Sequence, residues 1–323
     1  MRNVVYRIKG KILKLLKLSP IYKAYPWGGV KLKERFGKSN APEICAESWE
    51  LACHPDGECL VSGGEYDGRT LSSVLMGNQW MLGSNCGDSV VSPIMIKLID
   101  AREDLSVQVH PDDEYAFINE GKLGKTEMWY VIERDEGAHL YYGLNRKVNR
   151  EDFATSLKDG SVLGLLNKVP VNPGDVFFID PGTVHAIGKG IVLAEIQQNS
   201  NVTYRLYDYG RLENGAPRTL HIEKGTACAT LQPARPHCPP EGFIGSCEYF
   251  SVMTRIVSDN YSGFASGDSF HILLIIEGGG EVRCESERCF LAKGDSIFIP
   301  AGAGDYSIKG NLEMLVSFVG IAE

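Results

Sequence analysis

Two stretches, Gly174-Asp-Val-Phe-Phe-Ile-Asp-Pro-Gly-Thr-Val-His185 and Gly294-Asp-Ser-Ile-Phe-Ile-Pro-Ala-Gly-Ala-Gly-Asp305, lie on one another without a gap, with five of twelve positions identical. Each reads as a Gly-Asp turn feeding a short apolar strand that stops at a Pro/Gly bend. Upstream, Glu127-Met-Trp-Tyr-Val-Ile-Glu133 can be laid on His271-Ile-Leu-Leu-Ile-Ile-Glu277, each followed by a Gly-containing turn and a further strand. A repeated unit of this kind signals a duplicated architecture. The chain therefore reads as all-β dominated, built of two related β-barrels with the longer insertion in the first. In the first copy the bend can aim His185 into a barrel. Asp305 holds that slot in the second, which reads as a structural twin without the chemistry.

Working outward, short β-rich runs at 94–99, 128–132, 176–179, 191–196, 270–276 and 296–299 are separated by Gly, Pro, Asn and Asp. That spacing favours a sandwich or barrel over alternating βαβ units. Helices are few: Asn149 can cap 150–157, and 112–119 forms a weaker second. Four prolines between Leu231 and Gly242 cannot continue a central strand or a helix and mark a junction. The expected organisation is an N-terminal extension over 1–20, a catalytic domain over 21–232 with a small helical insertion near 150–168, and a second domain over 243–323.

At 323 residues, 43% hydrophobic and 23% charged, the composition is that of a globular protein long enough for two cores. Thirty-three basic against 41 acidic residues leave a net charge of −8, which disfavours nucleic acid as a partner. Nine cysteines, an odd number with no C-x-x-C pair, read as reduced thiols and a cytoplasmic location. Residues 1–18 interleave lysine and arginine with leucine and isoleucine, which interrupts any secretory apolar stretch and leaves a docked extension or a membrane-surface helix. No run approaches the ~20 apolar residues of a membrane span.

The chemistry-bearing residues gather around the first repeat. In Leu105-Ser-Val-Gln-Val-His-Pro111, a strand places Gln108 and His110 on one face and Val107 and Val109 on the other. Glu127 opens the next apolar strand and His185 follows the repeat bend. Alone, each is more commonly a hydrogen-bonded core or surface residue. Together, Gln108, His110, Glu127 and His185 make a four-donor set for a divalent ion with a position left open. Glu195, closing the strand after His185, and Arg205, ten residues on, add a carboxylate and a cation, joined by Lys97 and Lys125. Cations suit a phosphate or an enediolate, and a carboxylate suits proton transfer. His139, His237 and His271 have no comparable partners and read as structural.

These residues carry a resemblance. Tyr25-Pro-Trp-Gly-Gly29, Ala46-Glu-Ser-Trp-Glu50 with His54-Pro55, Pro93-Ile-Met-Ile-Lys97, Gln108-Val-His-Pro111, Lys125-Thr-Glu-Met-Trp129 and Pro181-Gly-Thr-Val-His185 occur in the order found in type I mannose-6-phosphate isomerases of the shorter bacterial form, in the cupin superfamily. The chain resembles that family from about Leu18 onward. The resemblance implies two cupin-like jelly-roll barrels, one Zn²⁺ per chain held by Gln108, His110, Glu127 and His185, and catalysis by Arg205 with Glu195, Lys125 and His54 as candidate proton carriers. It implies Lys97 and Ser106 as substrate-binding residues. Longer relatives carry Thr-Pro-Lys after the catalytic arginine, where this chain reads Leu206-Tyr-Asp-Tyr-Gly-Arg211, which makes Arg211 the candidate replacement for the phosphate-holding lysine.

The expected activity is interconversion of mannose 6-phosphate and fructose 6-phosphate through a cis-enediol, in a monomer or homodimer with a sugar phosphate as its small-molecule partner and no integral membrane association. Two other readings stand beside it: a cupin oxygenase holding iron on the same donors, and a sugar-phosphate-binding protein without catalysis.

Overall fold

Strands form where apolar, β-branched runs fall between Gly, Pro and Asx punctuation. In the computed structural model, which describes residues 15–213 and 215–320, the six runs coincide to within a residue with the starts of strands Ile94–Ala101, Glu127–Arg134, Val176–Ile179, Ile191–Gln198, His271–Cys284 and Ser296–Ile299. Asn149 caps helix Arg150–Asp159, its side chain accepting from Asp152 N at 2.8 Å, and Asp112 caps Asp113–Glu120 through Tyr115 N at 2.8 Å. The insertion is helical through a 3₁₀ turn, Ser161–Leu165, and then becomes strand Leu166–Pro170. Helices Leu71–Gly77 and Ile222–Cys228 had no clear sequence signal.

The first barrel is made of two sheets. One runs in the order Val176–Ile179, Glu127–Arg134, Ile191–Gln198, Ile94–Ala101, Glu47–Leu51, Ile21–Lys23. The other runs Leu166–Pro170, His139–Leu144, His185–Ile187, Val107–Val109, Tyr204–Tyr207. Their inner faces meet through Ile99, Trp129 and Leu193 on one side and Leu140 and Ile187 on the other. The outer face of the five-stranded sheet, Val107, Val109 and Ala186, is covered by Phe153 and Leu157 of the capped helix. The outer face of the six-stranded sheet, Ile96, Leu98, Met128 and Ala194, packs on Ile272, Leu274 and Phe298 of the second barrel. With both faces covered, Ile94–Ala101 and Ile191–Gln198 are buried throughout, which is why they are mostly apolar on both faces, broken by Lys97, Asp100, Glu195, Gln197 and Gln198.

The repeat holds pair for pair. Val176, Phe177, Phe178 and Ile179 face Tyr130, Trp129, Met128 and Glu127, while Ser296, Ile297, Phe298 and Ile299 face Leu274, Leu273, Ile272 and His271. The turns match as well: Gly174 N donates to Val131 O and Gly294 N to Ile275 O, both at 2.8 Å. Gly174 and Gly294 sit at φ +91° and +88°, where a side chain would be strained, so their identity is a conformational requirement. The interiors differ. Leu273, Ile275, Ile297, Ile299, Tyr306 and Met314 fill the second barrel with apolar core. Asp305, expected in the slot of His185, is exposed, and its neighbour Tyr306 turns inward instead.

Residues 1–14, which include most of the amphipathic stretch, lie outside the described residues. From Leu16 to Ser19 the chain is a strand inserted in the second barrel's sheet, pairing with Ser296–Ile299 on one edge and Leu60–Ser62 on the other. The seam between barrels is braced by a buried ion pair, in which Lys38 Nζ donates to Glu50 Oε2 at 2.8 Å and to the Gly294 carbonyl at 2.6 Å. Ser48 Oγ donates to the other oxygen of Glu50 at 2.6 Å. The proline-rich junction from 231 to 240 has no regular structure.

Candidate active site and metal centre

Cross-strand register aligns the polar residues in two rows. Across the six-stranded sheet, Trp49, Lys97, Glu195 and Trp129 are successive neighbours. Across the other, His185, Gln108 and Arg205 are neighbours in the same way. The period of two puts each row on one face, so both point into the first barrel. His110 follows its strand directly, and Glu127 starts the strand that carries Trp129.

His110, Glu127 and His185 are fully buried, and their ligand atoms all lie within 4.8 Å of one another. Nε2 of His185 is 3.4 Å from Glu127 Oε1, and Nε2 of His110 is 3.6 Å from Glu127 Oε2. The amide nitrogen of Gln108 lies 3.3 Å from His185 Nε2. Each imidazole points its far nitrogen at a carbonyl, His110 Nδ1 at Val202 O (2.9 Å) and His185 Nδ1 at Thr183 O (2.8 Å). With Nδ1–H donated there, each Nε2 keeps its lone pair turned toward Glu127, that of His185 facing the Gln108 amide and that of His110 unpaired among the described residues, the arrangement by which metal-binding histidines are held. His110 Nε2 and both oxygens of Glu127 have no hydrogen-bond partner; Lys125 Nζ is 2.6 Å from Glu127 Oε2, an ion pair rather than a directed bond. Buried polar atoms left in this state cost free energy unless something binds them, so the donor set fits a divalent cation.

Protonation states agree. Burial pushes His185 down to about 3, and burial with the nearby Lys125 ammonium lowers His110, so both rings are neutral. Burial alone would raise Glu127, but its neighbours, the Lys125 ammonium foremost, outweigh it and hold the carboxylate well below its usual range.

Beside this cluster lies a cavity of about 330 Å³, whose lining includes Gln108 and Lys125. Glu195 is held from three sides: Trp129 Nε1 donates to Oε2 at 3.0 Å, and Lys97 and Lys125 lie 3.1 and 3.4 Å from Oε1. Burial lowers Lys97, but Glu195 and Glu47 more than reverse that and leave it above its ordinary value. Trp27 and Trp49 give the cavity an aromatic wall. Arg205 Nη1 donates to Thr219 O at 3.1 Å, while its buried Nε has no acceptor among the described residues.

Lys97, Ser106, Gln108, Lys125, Glu195 and Arg205 thus share one cavity. His54 and Arg211 are not among its lining residues. His54 Nδ1 accepts from Asp56 N at 3.1 Å and its ring meets the edge of Trp49. Arg211 is bound to Asp208 and to the Asp104 carbonyl. Polar lining residues not singled out from sequence include Glu47, Asp56, Asn201, Thr203, Arg218 and His221. Trp129 was also missed as a site residue, although its spacing of two from Glu127 puts it on the same face. The second barrel's His271 occupies the position of Glu127 in the repeat, with Nδ1 3.1 Å from Tyr306 OH and its ring stacked on Phe318.

Comparison with known proteins gives the same picture. Residues 15–136 match the model of the phosphomannose isomerase type I catalytic domain, and 241–319 that of the mannose-6-phosphate isomerase cupin domain. The chain is 39% identical over 317 residues to the mannose-6-phosphate isomerase ManA of Bacillus subtilis (strain 168), covering 94% of this chain and 98% of that one. It is 35% identical over 299 residues to the mannose-6-phosphate isomerase of Streptococcus mutans, covering 90% and 94%. The crystal structure of the mannose 6-phosphate isomerase from Bacillus subtilis superposes with a TM-score of 0.86 at 37% identity, over 94% of this chain and 99% of that one. With the fold, the buried donor set and relatives aligned over nearly their whole length in agreement, the chain belongs to the type I phosphomannose isomerase family.

Proposed function

We propose that the chain interconverts mannose 6-phosphate and fructose 6-phosphate through a cis-enediol. One observation supports this most: a buried His110–Glu127–His185 set, in which His110 Nε2 and both Glu127 oxygens lack a hydrogen-bond partner among the described residues, adjoins a cavity in which Glu195 sits between two lysines and faces Arg205's sheet. The reaction moves one proton from C2 to C1, and in this reading the Glu195 carboxylate lifts it and returns it on the same face of the enediol. Lys97, Lys125 and Trp129 hold that carboxylate in place. Arg205 stabilises the charge that develops on the enediolate oxygens, and Ser106 helps seat the substrate. Gln108, His110, Glu127 and His185 hold the metal, which we propose to be zinc, since neutral imidazole with oxygen donors suits that ion. When bound, the ion supplies Lewis-acid polarisation of the sugar oxygens. His54 lies outside the cavity lining, which makes Glu195 with Lys125 the better proton carriers. Nine unpaired cysteines suit a reducing cytoplasm, and no helix among the described residues is long and apolar enough to cross a membrane.

The test is a coupled assay of mannose 6-phosphate to fructose 6-phosphate before and after chelation and zinc re-addition. Activity lost to chelator and restored by zinc is the expected result. A folded protein inactive with every divalent ion would overturn the proposal, and oxygen consumption on iron loading would replace it with the oxygenase reading.

A further inference from the structure

The charges of the cavity are divided. On the metal side Lys97 and Lys125 face three carboxylates, Glu47, Glu127 and Glu195. On the other side three guanidiniums, Arg205, Arg211 and Arg218, surround one buried carboxylate, Asp208, with the exposed Glu213 beyond it. The acidic side suits a cation. The basic side has a surplus of positive charge with no internal partner, which an incoming dianion would offset.

The three arginines are not equivalent. All of Arg211's nitrogens are occupied: Nε by Asp208 at 3.2 Å, Nη2 by the same carboxylate and Nη1 by the Asp104 carbonyl. Arg218 presents one edge to Asp208, with Nε 2.7 Å from Oδ2 and Nη2 2.6 Å from Oδ1. Its Nη1 has no acceptor among the described residues, and the side chain lines the cavity. The guanidinium is planar, so anchoring one edge fixes the direction of the other. Arg205 lines the same cavity, and its buried Nε has no acceptor among the described residues. The two guanidiniums are close enough that Arg218 adds to burial in making the charge on Arg205 less favourable.

We infer that Arg218, aimed by Asp208, binds the phosphate monoester of the substrate, and that Arg211 acts only as a buttress of Asp208. The inference rests on the isomerase reading and deepens it. It departs from the resemblance to longer relatives, which made Arg211 the candidate for this role.

The test uses zinc-loaded protein and two probes, mannose 6-phosphate and inorganic phosphate. Arg218→Ala should raise KM for the sugar phosphate by about 10- to 100-fold with kcat falling by less than about 5-fold, and should weaken competitive inhibition by phosphate by the same factor. Arg211→Ala should change both by less than about 3-fold. Phosphate inhibition unchanged in Arg218→Ala, or weakened as much by Arg211→Ala, would overturn the assignment. Should the alanine variant fail to fold, Arg218→Lys keeps the charge but loses the fork and must bind phosphate at least about 5-fold more weakly. Unchanged binding there would also overturn it. Calorimetric titration of wild type and variant with inorganic phosphate separates this inference from the isomerase reading, because it decides the anion site even in a protein without turnover.

Discussion

Replacing Lys38 with Met tests how the barrels are joined. Strand Glu47–Leu51 sends Glu47 and Trp49 to the cavity, while Ser48 and Glu50 meet the brace on its other face. Lys38→Met keeps most of the stem volume and removes the ammonium. Glu50, fully buried, is left with Ser48 as its one donor, and the Gly294 carbonyl loses its partner. Stranding one member of a buried pair costs about 3–5 kcal/mol. The cost should depend on pH. Burial already holds the Glu50 carboxyl above its ordinary value with Lys38 pulling it down, so without Lys38 it rises further. A carboxyl raised in the folded state gives stability below its unfolded pKa that is lost as pH rises through the folded one. Urea unfolding should therefore show a deficit more than about 1 kcal/mol smaller at about pH 5.5 than at about pH 8. Lys38→Met with Glu50→Leu should recover most of the loss, since an apolar pair can replace a buried ionic one. A single variant costing under about 1 kcal/mol, a deficit independent of pH, or a double variant no better than the single would each refute the reasoning.

Other outcomes follow from the site. Trp129→Phe keeps a ring against His185 but removes the donor to Glu195, and should lower kcat by about 10-fold while metal content by plasma mass spectrometry stays at the wild-type level. Glu127→Gln should weaken metal binding by more than about 100-fold, read by competition with a chromophoric chelator, since it removes the one anionic donor of the set. Burial lowers His271 to about 4 from 6.5, so the unfolded chain binds the extra proton first. Stability from this residue is then full above its unfolded value and falls as acidification proceeds toward about pH 4, by about 3 kcal/mol at most; His271→Phe should flatten the urea-midpoint profile over that range. An unchanged profile would remove His271 from the account.

What was legible in the sequence was local or periodic. The paired glycines, the strand boundaries and the two capped helices depend on a few neighbouring residues, and so did the alternation that put Gln108 opposite Val107 and Val109. His110, Glu127 and His185 were legible as a cluster because each sits at or beside a strand end near a Pro or Gly, while Gln108 came from the alternation within its strand. The rest depends on long-range contacts. Nothing near Leu16 indicates that it will pair with Phe298, and nothing near Arg218 that its loop folds back to Asp208. Asp305 was placed inside because the alignment fixes position but not which way the following strand faces. Arg211 was offered as the replacement for the phosphate-holding lysine of longer relatives; the structure places it outside the cavity lining, against Asp208.

The insertion of Leu16–Ser19 beside Ser296–Ile299 has a consequence for how the protein is made. A strand emerging early from the ribosome must wait for one about 280 residues behind it, roughly 15–60 s at ordinary elongation rates. During that interval Leu16 and Leu18, which end fully covered, have no partner strand on that edge, and Leu60–Ser62 has only its early neighbour. The second barrel cannot close before the beginning of the chain is retrieved. A nascent chain stalled after the first barrel would expose this strand to any holdase that recognises extended apolar segments, and a cut in the proline-rich junction would not release two independent halves.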